Sequence, residues 1–220
     1  MPIRLFQRSN LFASRSNGDV ITVVSGLFRS GTSMMMRMLE AGGIPILTDH
    51  ERAPDSSNPK GYYEYENVKQ MKEGDTGWMR EARGKAVKII SALLEFLPLE
   101  YEYRIVFMQR NLNEVLASQR AMLVQRGEAH DHVDDRIMAE LYQKHLAKTY
   151  AWIEKQPNLG ALYLDYNKII QEPQPYLVQL TRFLHPKQID VPKMLAVVEA
   201  SLYRQRGNRA ESQSPVHRQA

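Results

Sequence analysis

A β-branched run, Val20-Ile21-Thr22-Val23-Val24, feeds directly into the turn Ser25-Gly26-Leu27-Phe28-Arg29-Ser30-Gly31 and then into a segment with helical spacing that reaches Ala41. No other feature constrains the fold as strongly. β-branched side chains suit a pleated strand, and glycines let the backbone turn back sharply. A helix that starts at such a turn aims its unpaired N–H groups, and the positive end of its dipole, at whatever lies beyond the strand. The stretch therefore reads as a cradle for an anion. Gly26 and Gly31 have the spacing of the nucleotide-triphosphate loop G-x-x-x-x-G-K-S/T, but Thr32 stands where that loop has lysine. The positive charge has moved inside the loop, to Arg29, which suggests a phosphate cradle serving something other than ordinary Mg·ATP chemistry.

Strand-like and helix-like patterns alternate along the rest of the chain. Strands are expected at 20–25, 45–48, 86–90, 104–109 and 161–165, and helices at 31–41, 66–74, 112–125, 134–156, 173–184 and 192–202. That alternation predicts a single α/β domain with a mainly parallel central sheet flanked by helices. Gly42-Gly43 is a stop for the first helix, Asn113 an N-cap candidate, and Pro157 closes the long helix. The domain is expected over 19–207, with a flexible N-terminal arm at 1–18 and a flexible tail at 208–220. The cluster Met34-Met35-Met36-Met38 reads as adaptable core.

At 220 residues the chain can bury a full core, and 43% apolar with 25% charged residues is ordinary for a globular protein. The absence of cysteine excludes disulfides, thiolate nucleophiles and Cys-ligated metals. No apolar run approaches a membrane span. A net charge of +4 suits a polyanionic cofactor or acidic substrate better than a nucleic-acid stripe.

Ligands in open α/β sheets bind beyond the carboxyl ends of the strands, so the loops after residues 25, 48, 90 and 109 are expected to share one crevice. Into it the sequence can place Arg29, a bidentate fork, with the backbone and hydroxyls of Ser30, Gly31, Thr32 and Ser33. Arg110 ends a strand and Ser118 lies one to two turns into the next helix, close enough to reach one anion together. Lys88 lies in the strand expected at 86–90 and could face the crevice or snorkel along an edge. The polar stretch 49–65 supplies Asp49, His50, Glu51 and Glu64, any of which could take a proton. Arg204 and Arg206 close the pattern, either as anion ligands or as cations at a helix end.

The strings VSGLFRSGTSMMMRMLEAGG and RIVFMQRNLNEVLASQRAML resemble the 5′-phosphosulfate loop and the 3′-phosphate motif of sulfotransferases that use 3′-phosphoadenosine 5′-phosphosulfate (PAPS). The arginine at 29, where cytosolic members usually have lysine, resembles the Golgi, tyrosylprotein and bacterial types. GKAVKIISALLEFLP resembles the segment carrying a strand-end lysine, here Lys88, followed by an apolar helix ending in Leu-Pro, but Ile89-Ile90-Ser91 stands where cytosolic members place a catalytic histidine. ALYLDYNKII and SLYRQRG are fainter matches to later family segments.

The resemblance implies a P-loop-like sulfotransferase fold, PAPS as donor, PAP as product and no required metal. It implies that Arg29 and Lys88 neutralise the leaving phosphate and the sulfuryl oxygens, and that residues 30–33 hold the 5′-phosphate. Arg110, Ser118, Arg204 and Arg206 would hold the 3′-phosphate. The base would be an acid of the 49–66 stretch, with Glu51 and Asp49 ranked ahead of His50 and Glu64. The acceptor would be a small molecule, sugar, lipid or peptide with a hydroxyl or amine; nucleic acid is not expected, and a homodimer is left open. A cytoplasmic, bacterial enzyme is the expected setting. The rival readings are a divergent P-loop kinase or NTPase using Mg·ATP, and a non-catalytic nucleotide-binding module.

Overall fold

The computed structural model describes residues 5–6, 19–49, 51, 61–125, 127 and 133–198. Four strands run parallel: β2 (Ile21–Gly26), β3 (Ala86–Lys88), β4 (Tyr103–Gln109) and β5 (Leu159–Asp165), while β1 (Leu5–Phe6) pairs antiparallel with β5. The order across the sheet is β1-β5-β4-β2-β3. Val24 lies beside Lys88 on one side and Val106 on the other, and Val106 beside Leu162. β2 is buried along its whole length, as a strand covered on both faces must be.

Two apolar cores follow from side-chain alternation. One holds Val23, Ile105 and Phe107 with Trp78, Met79, Leu94 and Ile153; the other holds Val24, Val106 and Met108 with Met35, Met36, Met38 and Phe183. The methionine cluster is thus core, as expected. Helices α1 (Thr32–Ala41) and α5 (Pro173–Leu184) cover the second core, and α3 (Asp135–Lys155) covers the first. Helix α2 (Leu112–Gln125) follows β4; α4 (Tyr166–Gln171) follows β5 without a loop; α6 (Val191–Ala196) packs on α1.

The sequence reading needs correction at several element ends. The helix expected at 66–74 is a 3-10 helix over Glu66–Glu73 whose only buried residues are Val68 and Met71. Three-residue spacing suits three residues per turn. The strand expected at 86–90 stops at Lys88, and the one at 45–48 is reduced to a single bridge between Ile46 and Ala86. Asn111, not Asn113, caps α2: its side chain accepts the Asn113 N–H at 2.9 Å. A further 3-10 helix, Gly77–Ala82, and the short α4 have no counterpart in the sequence reading, and the apolar helix that the resemblance implies after Lys88 is a 3-10 helix, Ser91–Phe96. Within the span expected to be an arm, Leu5 and Phe6 sit in register with Leu162 and Ala161.

From β2 the chain moves to one side for β3, then crosses back over β2 to place β4 and β5 on the other side. The carboxyl ends of β2 and β4 therefore flank the point where the winding reverses, which in open α/β sheets is where a crevice forms.

The cap of α3 can be tested in isolation from that crevice. The Asp134 carboxylate accepts the N–H groups of Arg136 at 2.9 Å and Ile137 at 3.4 Å. Asp134→Ala is expected to cost about 1 kcal/mol, lowering the thermal midpoint by about 2–4 °C in calorimetry, whereas Asp134→Asn should stay near wild type.

Candidate functional site

The turn between β2 and α1 owes its shape to two glycines. A Cβ on Gly26 would lie 2.5 Å from Ser30 Oγ and 2.6 Å from the Met108 carbonyl, and one on Gly31 would lie 2.3 Å from Tyr166 Cδ2. Between them Arg29 has φ 69°, a left-handed backbone that non-glycine residues seldom adopt. Ser30 is buried; both its N–H and its hydroxyl donate to the Leu27 carbonyl, at 3.2 and 2.7 Å. Its side chain closes the turn. Gly31 caps α1, whose first residues, Thr32 and Ser33, carry the helix's leading amides.

Arg110 follows β4, directly across the crevice. Its Nε donates to Glu114 Oε2 at 3.0 Å, its Nη1 donates to the Arg29 carbonyl at 3.0 Å, and its guanidinium lies 4.6 Å from the centre of the Tyr166 ring. The side chains of Arg110 and Glu114 are 7% and 5% exposed, so this ion pair is buried. Asn167 Nδ2 donates to the other Glu114 oxygen at 2.9 Å. Burial pushes the Tyr166 phenol up, with Arg110 opposing. Arg29 Nε donates to the buried Ser118 hydroxyl at 2.9 Å. Arg29, Arg110 and Ser118, the outer two 89 positions apart in sequence, thus form one cluster at the winding reversal.

Lys88 ends β3 and is buried; its Nζ donates to the Tyr62 carbonyl and approaches Glu64 Oε1 at 3.4 Å. Ser33 Oγ donates to the same Tyr62 carbonyl at 3.2 Å, so α1 and β3 grip the 61–65 segment together. Next to it, Tyr63 donates to Glu40 at 2.7 Å, and burial followed by that hydrogen bond pushes its phenol up to about 12.

The acids of the 49–66 stretch do different things. Asp49 accepts the backbone N–H groups of Glu51 and Glu66 on its two oxygens, while Thr48 Oγ1 donates to the Glu64 carbonyl at 2.7 Å. Asp49 therefore fastens the two ends of this stretch. Glu51 is exposed. Glu64 is the acid of the set that meets Lys88. His50, Arg204 and Arg206 lie outside the described residues. Among the described residues no group of three or more His, Asp or Glu side chains gathers as metal ligands, and no helix is long and apolar enough to cross a membrane.

The sequence reading missed Glu114, Tyr166 and Asn167 as parts of the cluster. The four-residue spacing of Arg110 and Glu114 was a readable helix-pair signal; Tyr166 and Asn167 lie in ALYLDYNKII, a segment matched to the family without a role for either residue.

No family model matches the chain, and no curated protein matches it in sequence. Solved structures do. A mouse sulfotransferase complexed with PAP matches with a TM-score of 0.52 and 17% identity over 90% of this chain and 71% of that one. The sulfotransferase domain of the Synechococcus PCC 7002 olefin synthase matches with a TM-score of 0.51 and 12% identity over 96% and 94%. The chain has the sulfotransferase fold. It spans 64% of the length of a retinol dehydratase solved with androsterone and inactive cofactor PAP, at a TM-score of 0.46 and 15% identity. Within this sulfotransferase fold, the arginine cluster occupies the crevice between β2 and β4.

A second polar group lies in a cleft between α3 and the Ser91–Phe96 helix, with Trp152 as one wall. Its centre is His145, whose Nε2 is 2.8 Å from Ser91 Oγ. Burial holds the His145 imidazole below its ordinary pKa, Glu95 opposing and Lys148 reinforcing. The unfolded chain then binds that proton more readily, so this contribution to stability is complete above about pH 6.5 and is lost as pH falls through the folded value. Urea unfolding from about pH 7.5 down to about pH 5.5 should show a steeper loss for wild type than for His145→Gln. Parallel curves would remove His145 from the account.

Proposed function

We propose that this protein is a PAPS-dependent sulfotransferase acting on a hydroxyl or amine acceptor. The observation that carries the reading is the convergence of Arg29, Arg110 and Ser118 beside the amino end of α1, at the winding reversal of a sulfotransferase fold. The residues fit such a donor: leading helix amides with Thr32 and Ser33 suit a 5′-phosphate, and a fixed guanidinium with a buried hydroxyl suits a 3′-phosphate. Bound PAPS would supply a sulfuryl group whose bond to the 5′-phosphate breaks as the acceptor bonds to sulfur.

The chain's own residues then have distinct tasks. Arg29 would offer charge at the leaving phosphate, and Lys88, at the end of β3, would be a second cation for it and for the sulfuryl oxygens. Neutralising developing charge with fixed cations is how transfer of such groups is accelerated. Glu64 is the favoured proton acceptor, because it approaches Lys88 while the Asp49 oxygens hold backbone amides. The loop arginine supports a reading nearer the Golgi and bacterial types than the cytosolic one.

Arg29→Ala should lower kcat about 100- to 1000-fold with a smaller change in donor binding, and Glu64→Gln should lower kcat about 100-fold or more. Incubation with labelled PAPS or labelled ATP, with and without chelator, over a panel of phenols, alcohols and amines checks the activity. Chelator-insensitive transfer from PAPS alone is the expected result. Magnesium-dependent transfer from ATP would replace this reading with a kinase, and binding without transfer to any acceptor would replace it with a nucleotide-binding module.

A further inference from the structure

We infer that Arg110 is a positioning residue for the β2–α1 loop as well as a phosphate ligand, so that the two halves of the crevice act as one coupled unit. The inference rests on the nucleotide reading above for its ligands, though not for its geometry. Arg29 holds a left-handed backbone, which for a side chain of its size costs free energy unless something fixes it. The Arg29 carbonyl is held by Arg110 Nη1 at 3.0 Å. Arg110 in turn is held on its other edge by Glu114, on its face by the Tyr166 ring, and at one remove by Asn167.

The Tyr166 ring closes the circuit. It lies under the guanidinium and also against Gly31, where a single added carbon would collide with it. One aromatic ring from the β5–α4 junction therefore meets both the arginine and the last residue of the loop. Moving Arg110 toward or away from an anion must be felt at Arg29 and Gly31, and a loop already in its bound shape spares Arg110's ligand the cost of ordering it. A group that served the 3′-phosphate alone would have no effect on a nucleotide lacking that phosphate. Here it should.

The test uses the full chain with PAP and with adenosine 5′-monophosphate, which has no 3′-phosphate. Arg110→Gln is combined with Glu114→Gln, a pairing that leaves no buried carboxylate without a cation. In calorimetry this variant should bind adenosine 5′-monophosphate about tenfold more weakly than wild type, the scale of one charge-assisted hydrogen bond. In an Arg29→Gly background, where glycine adopts the left-handed backbone unaided, the same change should cost less than about twofold. Amide exchange of the peptide spanning 26–33 in the ligand-free protein should accelerate in the variant. Tyr166→Leu, which leaves the ion pair in place, should act in the same direction, and Tyr166→Phe, which keeps the ring face, should have the smaller effect of the two.

Loop exchange that does not change, or an affinity loss as large in the Arg29→Gly background as in the wild-type one, overturns the coupling. If the double variant fails to fold, the Tyr166 pair decides by the same readouts. A wild type without preference for PAP over adenosine 5′-monophosphate would sink the proposed donor, and loop exchange would still decide whether the clamp exists.

Discussion

A guanidinium keeps its proton at any pH a protein survives, so burying Arg110 obliges the fold to surround it with acceptors. Those acceptors come from three places: Glu114 in the first turn of α2, the Arg29 carbonyl in the loop after β2, and the π face of Tyr166 where β5 becomes α4. The requirement therefore fixes the carboxyl ends of β2, β4 and β5 relative to one another. Breaking a buried pair by removing one partner typically costs about 3–5 kcal/mol, more than any single surface contact could supply. The crevice is held open by charge that has to be satisfied.

The same pairing shapes the field an anion would meet. Glu114 offsets Arg110 and Glu64 offsets Lys88, while the Arg29 side chain meets a neutral hydroxyl. Two of the cations described at the crevice are thus offset by carboxylates, in a site proposed to take a nucleotide with two phosphate groups. Oriented donors must supply the rest: the leading amides of α1, fixed in direction by the Gly31 turn, need no reorganisation when an anion arrives.

Much of this was legible from the residues. β2, β4 and β5 announce themselves as apolar runs, and α2 and α5 were placed at their observed bounds, because their signals are local and periodic. The loop and its arginine were legible for the same reason. The illegible parts depend on distant partners. Asn167 reaches Glu114 across 53 residues, and Lys88 reaches the Tyr62 carbonyl across 26. Neither contact leaves a trace in spacing. The 66–74 helix was placed but its type was not, because two buried residues three apart carry too little pattern to separate one helix type from another.

The 49–66 stretch shows how backbone needs sort side chains that look equivalent in sequence. Asp49 is short and lies two residues before an unpaired amide, so its carboxylate closes a local turn and then caps the Glu66–Glu73 helix. Glu64 is longer, its own carbonyl is already taken by Thr48 and Asp49, and the Tyr62 carbonyl just before it is gripped by Lys88 and Ser33. With the main chain tied down on both sides, its side chain is delivered to the end of β3. Which acid stands beside the strand-end lysine is thus decided by hydrogen bonds of the backbone around it, and acid–base character alone could not have ranked the candidates.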